Sequence, residues 1–280
     1  MKEMDGVEIG ALVVLVAVVV LALLHWESIE HMVEYTRRDA AASSPAAVVA
    51  KPKPALVVAI AATHRMLQLP TDSGSLPTLA HSDKRFGRAV TSLIGRGAFE
   101  RWWIPQELIL HIVATVDNLG RAQVPEHAWP VQPPSGHLLV DARASEIVLA
   151  QANASRYEPY MTMVKLVNPQ AVVAVYLHFY PLFQRAWRQL GYPVGQFNDR
   201  LVKVIGNLLA APEPQAPLRL VQRHVLYQFV DPSLESASAG QKILMRIGLA
   251  DERVVKAKLR ALRAELLGHM EPERSARPRG

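Results

Sequence analysis

The sequence predicts a mainly α-helical domain that contains a small antiparallel β element and is preceded by one transmembrane helix. Three features of the chain support this prediction. Residues 9–24 form a run of sixteen side chains without charge or polarity. After residue 75, apolar residues recur at helical spacing in several segments separated by glycine and proline. Two pairs of short runs rich in β-branched residues interrupt that pattern.

The same features divide the 280 residues into five parts. Residues 1–8 are a short N-terminal tail, and residues 9–26 are the transmembrane helix. Residues 27–75 hold a juxtamembrane helix and an Ala/Pro-rich tether, a composition typical of a semi-extended linker. Residues 76–268 are numerous enough to bury the core of one globular helical domain. Residues 269–280 are predicted to be a disordered tail.

The apolar run predicts an uncleaved, single-pass membrane anchor. A helix needs ~20 residues to cross a hydrocarbon core of ~30 Å, and Val7 and Trp26 extend the run toward that length. A cleaved signal peptide would begin with basic residues and end in a small-residue site. This chain begins MKEMDGVE and continues LLHWES. A buried core helix would usually show one polar side, and this run shows none. We therefore expect residues 9–26 to contact membrane lipids.

Composition narrows the classes of partner and chemistry. The chain has no cysteine, which excludes a disulfide framework, thiolate zinc sites and cysteine nucleophiles. Its net charge of +6 favours anionic surfaces, and lipid head groups are the nearest ones. The basic residues are spread along the chain rather than clustered with aromatic residues, so no nucleic acid is expected as a partner. The cations after the anchor favour a cytoplasmic body by the positive-inside rule.

Apolar periodicity and its interruptions place the helices. They are predicted over residues 83–94, 105–119, a segment near 160, 168–190, 197–209, 241–247 and 251–267. Ser82 stands at the capping position of the first, and Gly120 ends the second. Pro181 lacks an N–H and clashes with the carbonyl of Leu177, so a kink or break is expected there. The β-rich runs 138–140 and 147–149 predict one hairpin, and 218–221 and 225–230 predict a second pair of strands.

Several phrases carry a family resemblance. They are LPTLAHSD, VDNLG, RYEPY, YLHFYPLFQRAWRQLGYP and YQFVDPSLESASAGQKILMRIG. In order and spacing they resemble the Domain of Unknown Function 3014 family over about residues 76–260. The resemblance implies a Gram-negative inner-membrane protein with one membrane helix, a tether, a periplasmic C-terminal domain and no established activity. The chain departs from the family at Glu158, where the family has Asp. It departs again at Leu249 and Ala250, which replace a Pro/Asn-containing turn.

The sequence lacks the common catalytic and metal-binding motifs. It has no HExxH, no GxSxG, no phosphate-binding glycine-rich loop and no EF-hand loop, so no cofactor and no metal are predicted. Glu107 and His111 share a helix face at i, i+4 spacing and could supply two metal ligands, but a solvated surface pair explains them better.

Two groups of polar residues are candidate sites. Asp117 lies at the apolar edge of its helix, so its burial would require a partner. Arg156, followed by Tyr157 and Tyr160, is the candidate partner. A buried ion pair that fixes helix packing explains these residues better than catalysis does.

The second group consists of Glu235, Gln241, Lys242 and Arg246. Lys242 and Arg246 stand one helical turn apart, and Glu235 could neutralise one of them. The group could form an anion-binding pocket, although a salt-bridged helix face is the simpler interpretation.

One further row of side chains bears on function. It contains Tyr176, Phe179, Tyr180, Phe183, Trp187 and Tyr192. The simpler interpretation is that these aromatic residues form the domain core; the alternative is a groove for cell-wall glycan.

These observations favour a non-enzymatic envelope module that binds another protein or a ligand. The alternative is an envelope (cell-wall) hydrolase, which would need two carboxylates at a fixed separation. A deep cleft with two converging carboxylates would favour the hydrolase, and a shallow apolar patch would favour the binding module. The sequence leaves the oligomeric state open.

Overall fold

A computed structural model describes Leu67 and residues 75–270, apart from 125–128, 133, 135–136, 144–145, 216 and 224–225. The helices of this part are α1 (Asp83–Ile94), α2 (Arg96–Trp102), α3 (Leu108–Leu119), α4 (Asn153–Arg156), α5 (Glu158–Leu166), α6 (Pro169–Gln189), α7 (Phe197–Leu209), α8 (Pro232–Glu235), α9 (Ala239–Arg246) and α10 (Leu249–Gly268). The strands are β1 (Val140–Arg143), β2 (Glu146–Leu149), β3 (Arg219–Arg223) and β4 (Leu226–Phe229). The mainly helical fold with a small antiparallel sheet is confirmed.

The predicted anchor over 9–26 lies outside the described residues, as do the tail 1–8, nearly all of 27–75 and residues 271–280. Within the described ranges, no helix is both long and apolar enough to cross a bilayer. Met270 falls in the stretch that we assigned to a disordered tail. It is instead buried, and its backbone forms an antiparallel bridge with Leu67.

Local sequence signals explain where the main helices begin and end. Asn168 caps α6, because its side-chain oxygen accepts the N–H of Ala171, and Pro169 occupies the first turn. The helix continues through Pro181 without the expected break. Pro181 lies on the exposed side, where water can hydrate the carbonyl that loses its donor.

α3 begins three residues later than predicted, at Leu108 rather than at Pro105. Glu107 adopts a left-handed backbone with φ of 48°, which keeps it out of the helix. The Asp83 carboxylate accepts the N–H groups of Glu107 (2.8 Å) and Leu108 (2.9 Å) and so caps α3 from a neighbouring helix.

The two predicted strand pairs join into one sheet. The strand order is β1-β2-β3-β4, and every pair is antiparallel. β2 and β3 meet with Ile147 opposite Leu220. One face covers a second, smaller core of Leu138, Leu220, Phe229 and Met245. Met245 belongs to α9, so the sheet packs against that helix.

α6 lies at the centre of the main core and packs against α3, α10 and α1. Phe183 is fully buried and stands between Phe86, Tyr176 and Phe197. The aromatic row of α6 is therefore core, as the simpler interpretation predicted.

The ends of the helix bundle differ in what they carry. At one end, the connection 190–196 joins α6 to α7, and we call this the loop end. Asn198, in the first turn of α7, donates to the sulfur of Met270 (3.2 Å). Leu67 pairs with Met270, so the chain enters the domain at the loop end. At the other end of α7, residues 210–218 lead into β3, and we call this the sheet end.

Candidate functional site

A buried carboxylate organises the loop end. Asp117 is 5% exposed in the last turn of α3. Its Oδ2 accepts from Arg121 (2.6 Å) and from the Tyr192 hydroxyl (2.7 Å), and its Oδ1 lies 2.8 Å from Nε of Arg200. Arg200 also donates to the Asp117 carbonyl oxygen. We call Asp117, Arg121, Tyr192 and Arg200 the Asp117 cluster. The cluster connects three elements: α3, α7 and the loop between α6 and α7.

The charges of the Asp117 cluster support one another. The adjacent Asp117 carboxylate raises the pKa of Arg121 above its usual value. The Tyr192 hydroxyl donates a hydrogen bond to the Asp117 carboxylate, and this bond raises the pKa of Tyr192 as well. Both shifts favour the protonated forms, which are the forms that bond the carboxylate. This arrangement suits a fixed ion-pair network more than proton transfer near neutral pH.

Sequence analysis selected Asp117 but expected Arg156 as its partner. In the structure, Asp117 pairs with Arg121 and Arg200 instead. Arg121 could have been found from the sequence, because it follows Asp117 at i, i+4 spacing on the same helix. Arg200 could not, because it approaches from α7, and local spacing gives no indication of that contact.

Arg156 and Tyr157, the residues predicted to accompany Asp117, lie between the β1–β2 hairpin and α5. Arg156 donates to Oδ1 of Asn153 (3.3 Å) and stands over the ring of Tyr157 at 5.6 Å. Tyr157 is 1% exposed and belongs to the main core. Asn153 in turn bonds both the N–H and the carbonyl of Leu139, just before β1. These residues therefore help to hold the hairpin against the helices.

Three residues of the second predicted group, Glu235, Lys242 and Arg246, lie together at the edge of the sheet. Lys242 lies 2.5 Å from Oε1 of Glu235, and Oε2 of Glu235 accepts the N–H of Phe229 (2.9 Å). The guanidinium of Arg246 stands over the ring of Phe229 at 5.8 Å. Glu235 thus occupies a backbone donor on edge strand β4, which would otherwise be open to pairing with another strand.

Gln241 forms a capping box at the start of α9 rather than facing a shared pocket. Its side chain accepts the N–H of Ser238 (3.1 Å) and donates to the carbonyl of Asn207 (2.9 Å). The bonds of Glu235, Lys242 and Gln241 are those expected of the structural alternative. Binding of an anion by this group stays a prediction.

A buried ion pair that sequence analysis missed fastens α10 to the connection after α7. Lys256 and Glu252 are 2% and 1% exposed and 2.8 Å apart. Lys256 also bonds the Ala211 carbonyl (2.6 Å) and Glu213 (2.9 Å). Burial raises the pKa of Glu252, whereas the bonds from Lys256 and Arg253 lower the pKa of Glu213. The i, i+4 spacing was the available signal, but such pairs usually lie in solvent.

The candidate metal pair is loosely arranged. Glu107 and His111 approach no closer than 3.9 Å, and the Glu107 side chain is 68% exposed. Over the described ranges, no three metal-ligating side chains come together.

A cleft of about 410 Å³ opens at the sheet end. One wall comes from the connection before β3 and the other from the corner between β4 and α8. Its lining consists of Pro214, Pro217, Leu218, Arg219, Val230, Asp231, Pro232 and Leu234. This volume lies in the range of ~300–1,000 Å³ that is usual for ligand sites. Sequence analysis did not predict the cleft.

The charged groups of the cleft lining already have partners. Asp231 caps α8 and accepts from both the N–H and the hydroxyl of Ser233 (2.8 and 2.7 Å). Arg219 donates to Glu146 on the neighbouring strand (3.1 Å). The cleft therefore offers mainly proline and aliphatic surface, with polar groups at its rim.

Comparison with known proteins identifies a family. The family model described as a protein of unknown function (DUF3014) matches residues 108–263. That range contains the Asp117 cluster, the Glu235 group and both walls of the cleft. No curated protein and no solved structure matches the chain.

Proposed function

The chain belongs to the DUF3014 family, and from that premise we propose that it is a membrane-anchored binding module whose cleft at the sheet end receives a segment of a partner protein. The observation that supports binding is the chemistry of the cleft. Among the described residues that line it, the charged ones are Arg219 and Asp231. A glycoside hydrolase would place two carboxylates ~5–9 Å apart in its cleft, so this lining favours binding over hydrolysis.

The lining also indicates what kind of segment would fit. Proline rings and aliphatic side chains present rigid apolar surface, so an apolar or aromatic side chain of the partner could be buried with little loss of conformational entropy in the module. Arg219 is 59% exposed at the rim, where its remaining donors could meet an acidic group of the partner.

The anchor supplies the proposed location. The apolar run at 9–24 supports one pass through the cytoplasmic membrane of a Gram-negative bacterium, and the family resemblance supports a periplasmic body. The chain should remain in the membrane pellet after washing with alkaline carbonate. External protease should digest the body in spheroplasts. A mature N-terminus beyond Trp26 would disprove the anchor, and a body protected in spheroplasts would disprove the orientation.

Site-specific photo-crosslinking in the native membrane tests the cleft. A photoreactive amino acid at Val230, which is 42% exposed in the cleft lining, should give one discrete adduct with another protein. The matched control is Val221, an aliphatic residue with similar exposure (36%) on the sheet outside the cleft. Absence of an adduct at Val230, or an identical pattern at both positions, would contradict the proposal. Release of sugar from purified cell wall by the full chain would favour the hydrolase.

A further inference from the structure

The connection between α6 and α7 displays aliphatic side chains to solvent. Val194 is 82% exposed, Leu190 is 36% exposed, and Pro193 between them is also exposed. Gly191 and Gly195 bracket this tip with φ of 99° and 90°, a conformation that favours glycine. The turn thus projects apolar groups away from the core on a short segment. We call residues 190–195 the apolar tip.

The apolar tip stands on a rigid base. Tyr192 stacks on Trp187 with ring centroids 3.8 Å apart, and its hydroxyl bonds the buried Asp117. On the other side, Gln184 donates to the carbonyl of Gly195 (3.0 Å) and accepts the N–H of Phe197 (2.9 Å). Because these contacts fix the backbone on both sides, Val194 cannot fold back onto the domain, and its exposure is built into the fold.

Exposed arginines lie close to the apolar tip in the chain. Arg185 and Arg188 are exposed and lie one turn apart near the end of α6. Arg121, half exposed, bonds Tyr192 at the base. Of the carboxylates at this end, Asp117 is buried, whereas Asp199 in the first turn of α7 is partly exposed. Protruding aliphatic groups on a segment that also carries exposed arginine are features that favour an anionic lipid–water interface.

The chain enters the domain at the same end as the apolar tip. Leu67 enters the domain at Met270, and Met270 contacts Asn198, three residues after Gly195. Residues 27–66 connect this point to the proposed span at 9–26. The tether therefore raises the local concentration of the domain near the membrane, and its attachment point lies at the loop end.

We propose that the apolar tip inserts Leu190 and Val194 into the interfacial region of an anionic membrane, with Arg185, Arg188 and Arg121 on the lipid phosphates. This inference rests on the proposed anchor for delivery to the membrane, but the contact itself rests on the tip. It turns the cleft at the sheet end away from the bilayer, where another protein can reach it.

Single-cysteine labelling of the full chain tests the proposal, because the chain has no native cysteine. The probes are Val194→Cys and the control Val221→Cys, each carrying an environment-sensitive dye. The protein is reconstituted into vesicles of phosphatidylethanolamine and phosphatidylglycerol that contain a nitroxide-labelled lipid. Dye at 194 should show a blue shift and strong quenching, and dye at 221 should show neither. Charge reversal by Arg185→Glu and Arg188→Glu together should abolish quenching at 194 without lowering the Tm, since both side chains are exposed.

Three results would overturn the proposal. Dye at 194 that stays unquenched would show that the tip does not contact lipid. Quenching that is equal in phosphatidylcholine vesicles, or that survives the charge reversal, would disprove recognition of an anionic surface. Carbonate washing of the same samples reports on the anchor alone, so failure of the anchor and failure of the tip are separate outcomes.

Discussion

Replacing Asp117 by Asn is the most informative perturbation of the loop end. The substitution keeps the shape of the side chain and removes its charge. Asp117 pairs with Arg200, whose side chain is 20% exposed, and with Arg121, whose side chain is 51% exposed. The variant leaves the less exposed guanidinium without its counter-charge in a poorly hydrated position.

The expected loss of stability follows from the burial of each partner. Breaking a buried ion pair from one side costs ~3–5 kcal/mol, and the partial exposure of Arg200 places its share at the lower limit of that range. The ion pair between Arg121 and Asp117 contributes at most ~1 kcal/mol, because the Arg121 side chain is half exposed to solvent. An amide oxygen can still accept one of the bonds, which returns roughly 1 kcal/mol. We expect Asp117→Asn to lower the free energy of unfolding by about 3 kcal/mol.

Urea unfolding, monitored by tryptophan fluorescence, measures this loss of stability. Trp187 is a suitable reporter because it stacks on Tyr192, a member of the Asp117 cluster. The matched control is Asp251→Asn. Asp251 faces Lys165 at 3.7 Å, and the Lys165 side chain is 55% exposed, so its loss should cost under ~1 kcal/mol. Adding Arg200→Met to Asp117→Asn should recover part of the loss by removing the unpaired cation. A loss no larger than that of the control, or no recovery in the double variant, would refute the reasoning.

The remaining predictions concern the core and two other titratable groups. Trp187→Ala should cost ~3–5 kcal/mol in urea unfolding, because the ring is 6% exposed, and a cost below ~1 kcal/mol would place it outside the core. Burial, together with Arg85, lowers the pKa of His178, so the unfolded chain binds the proton first as pH falls below 6.5. Stability should therefore fall as pH drops through 6.5 toward the lowered pKa, and Tm profiles of His178→Gln should lack that component. Lys256→Met should cost about 3 kcal/mol by isolating Glu252. Lys256→Met combined with Glu252→Leu should cost less, although the bonds of Lys256 to Ala211 and Glu213 are still lost; equal losses would exclude a coupled pair.

The sequence predicted the elements of this fold better than their assembly. Helical periodicity, the Asn168-Pro169 start and the glycines after α3 and α6 are local signals, and the helices they marked are present. The start of α3 was misplaced because its cap, Asp83, comes from another helix. The short helix α2 was missed, because seven residues carry too little periodicity to be recognised.

The candidate sites show the same division between local and distant contacts. Glu235 and Lys242 lie seven residues apart, and their pairing could be proposed from sequence. Tyr192 and Asp117 lie 75 residues apart, and Arg200 reaches Asp117 from a third element. No composition or spacing rule selects those partners, because the path of the chain through three dimensions decides them. The cleft was not predicted either, although its walls flank one predicted pair of strands, β3 and β4.

The joining of the two hairpins has a consequence for the order of folding. Each hairpin closes over a few residues, but the pair β2–β3 brings together Glu146 and Arg219, which are 73 residues apart. α4 to α7 lie between them, so loop-closure entropy opposes that pairing until these helices have packed. An isolated hairpin is marginally stable in water, and we expect the backbone amides of the sheet to gain protection from hydrogen exchange after those of α6. The walls of the cleft flank the β3–β4 hairpin alone, so the cleft can take shape before the two hairpins join.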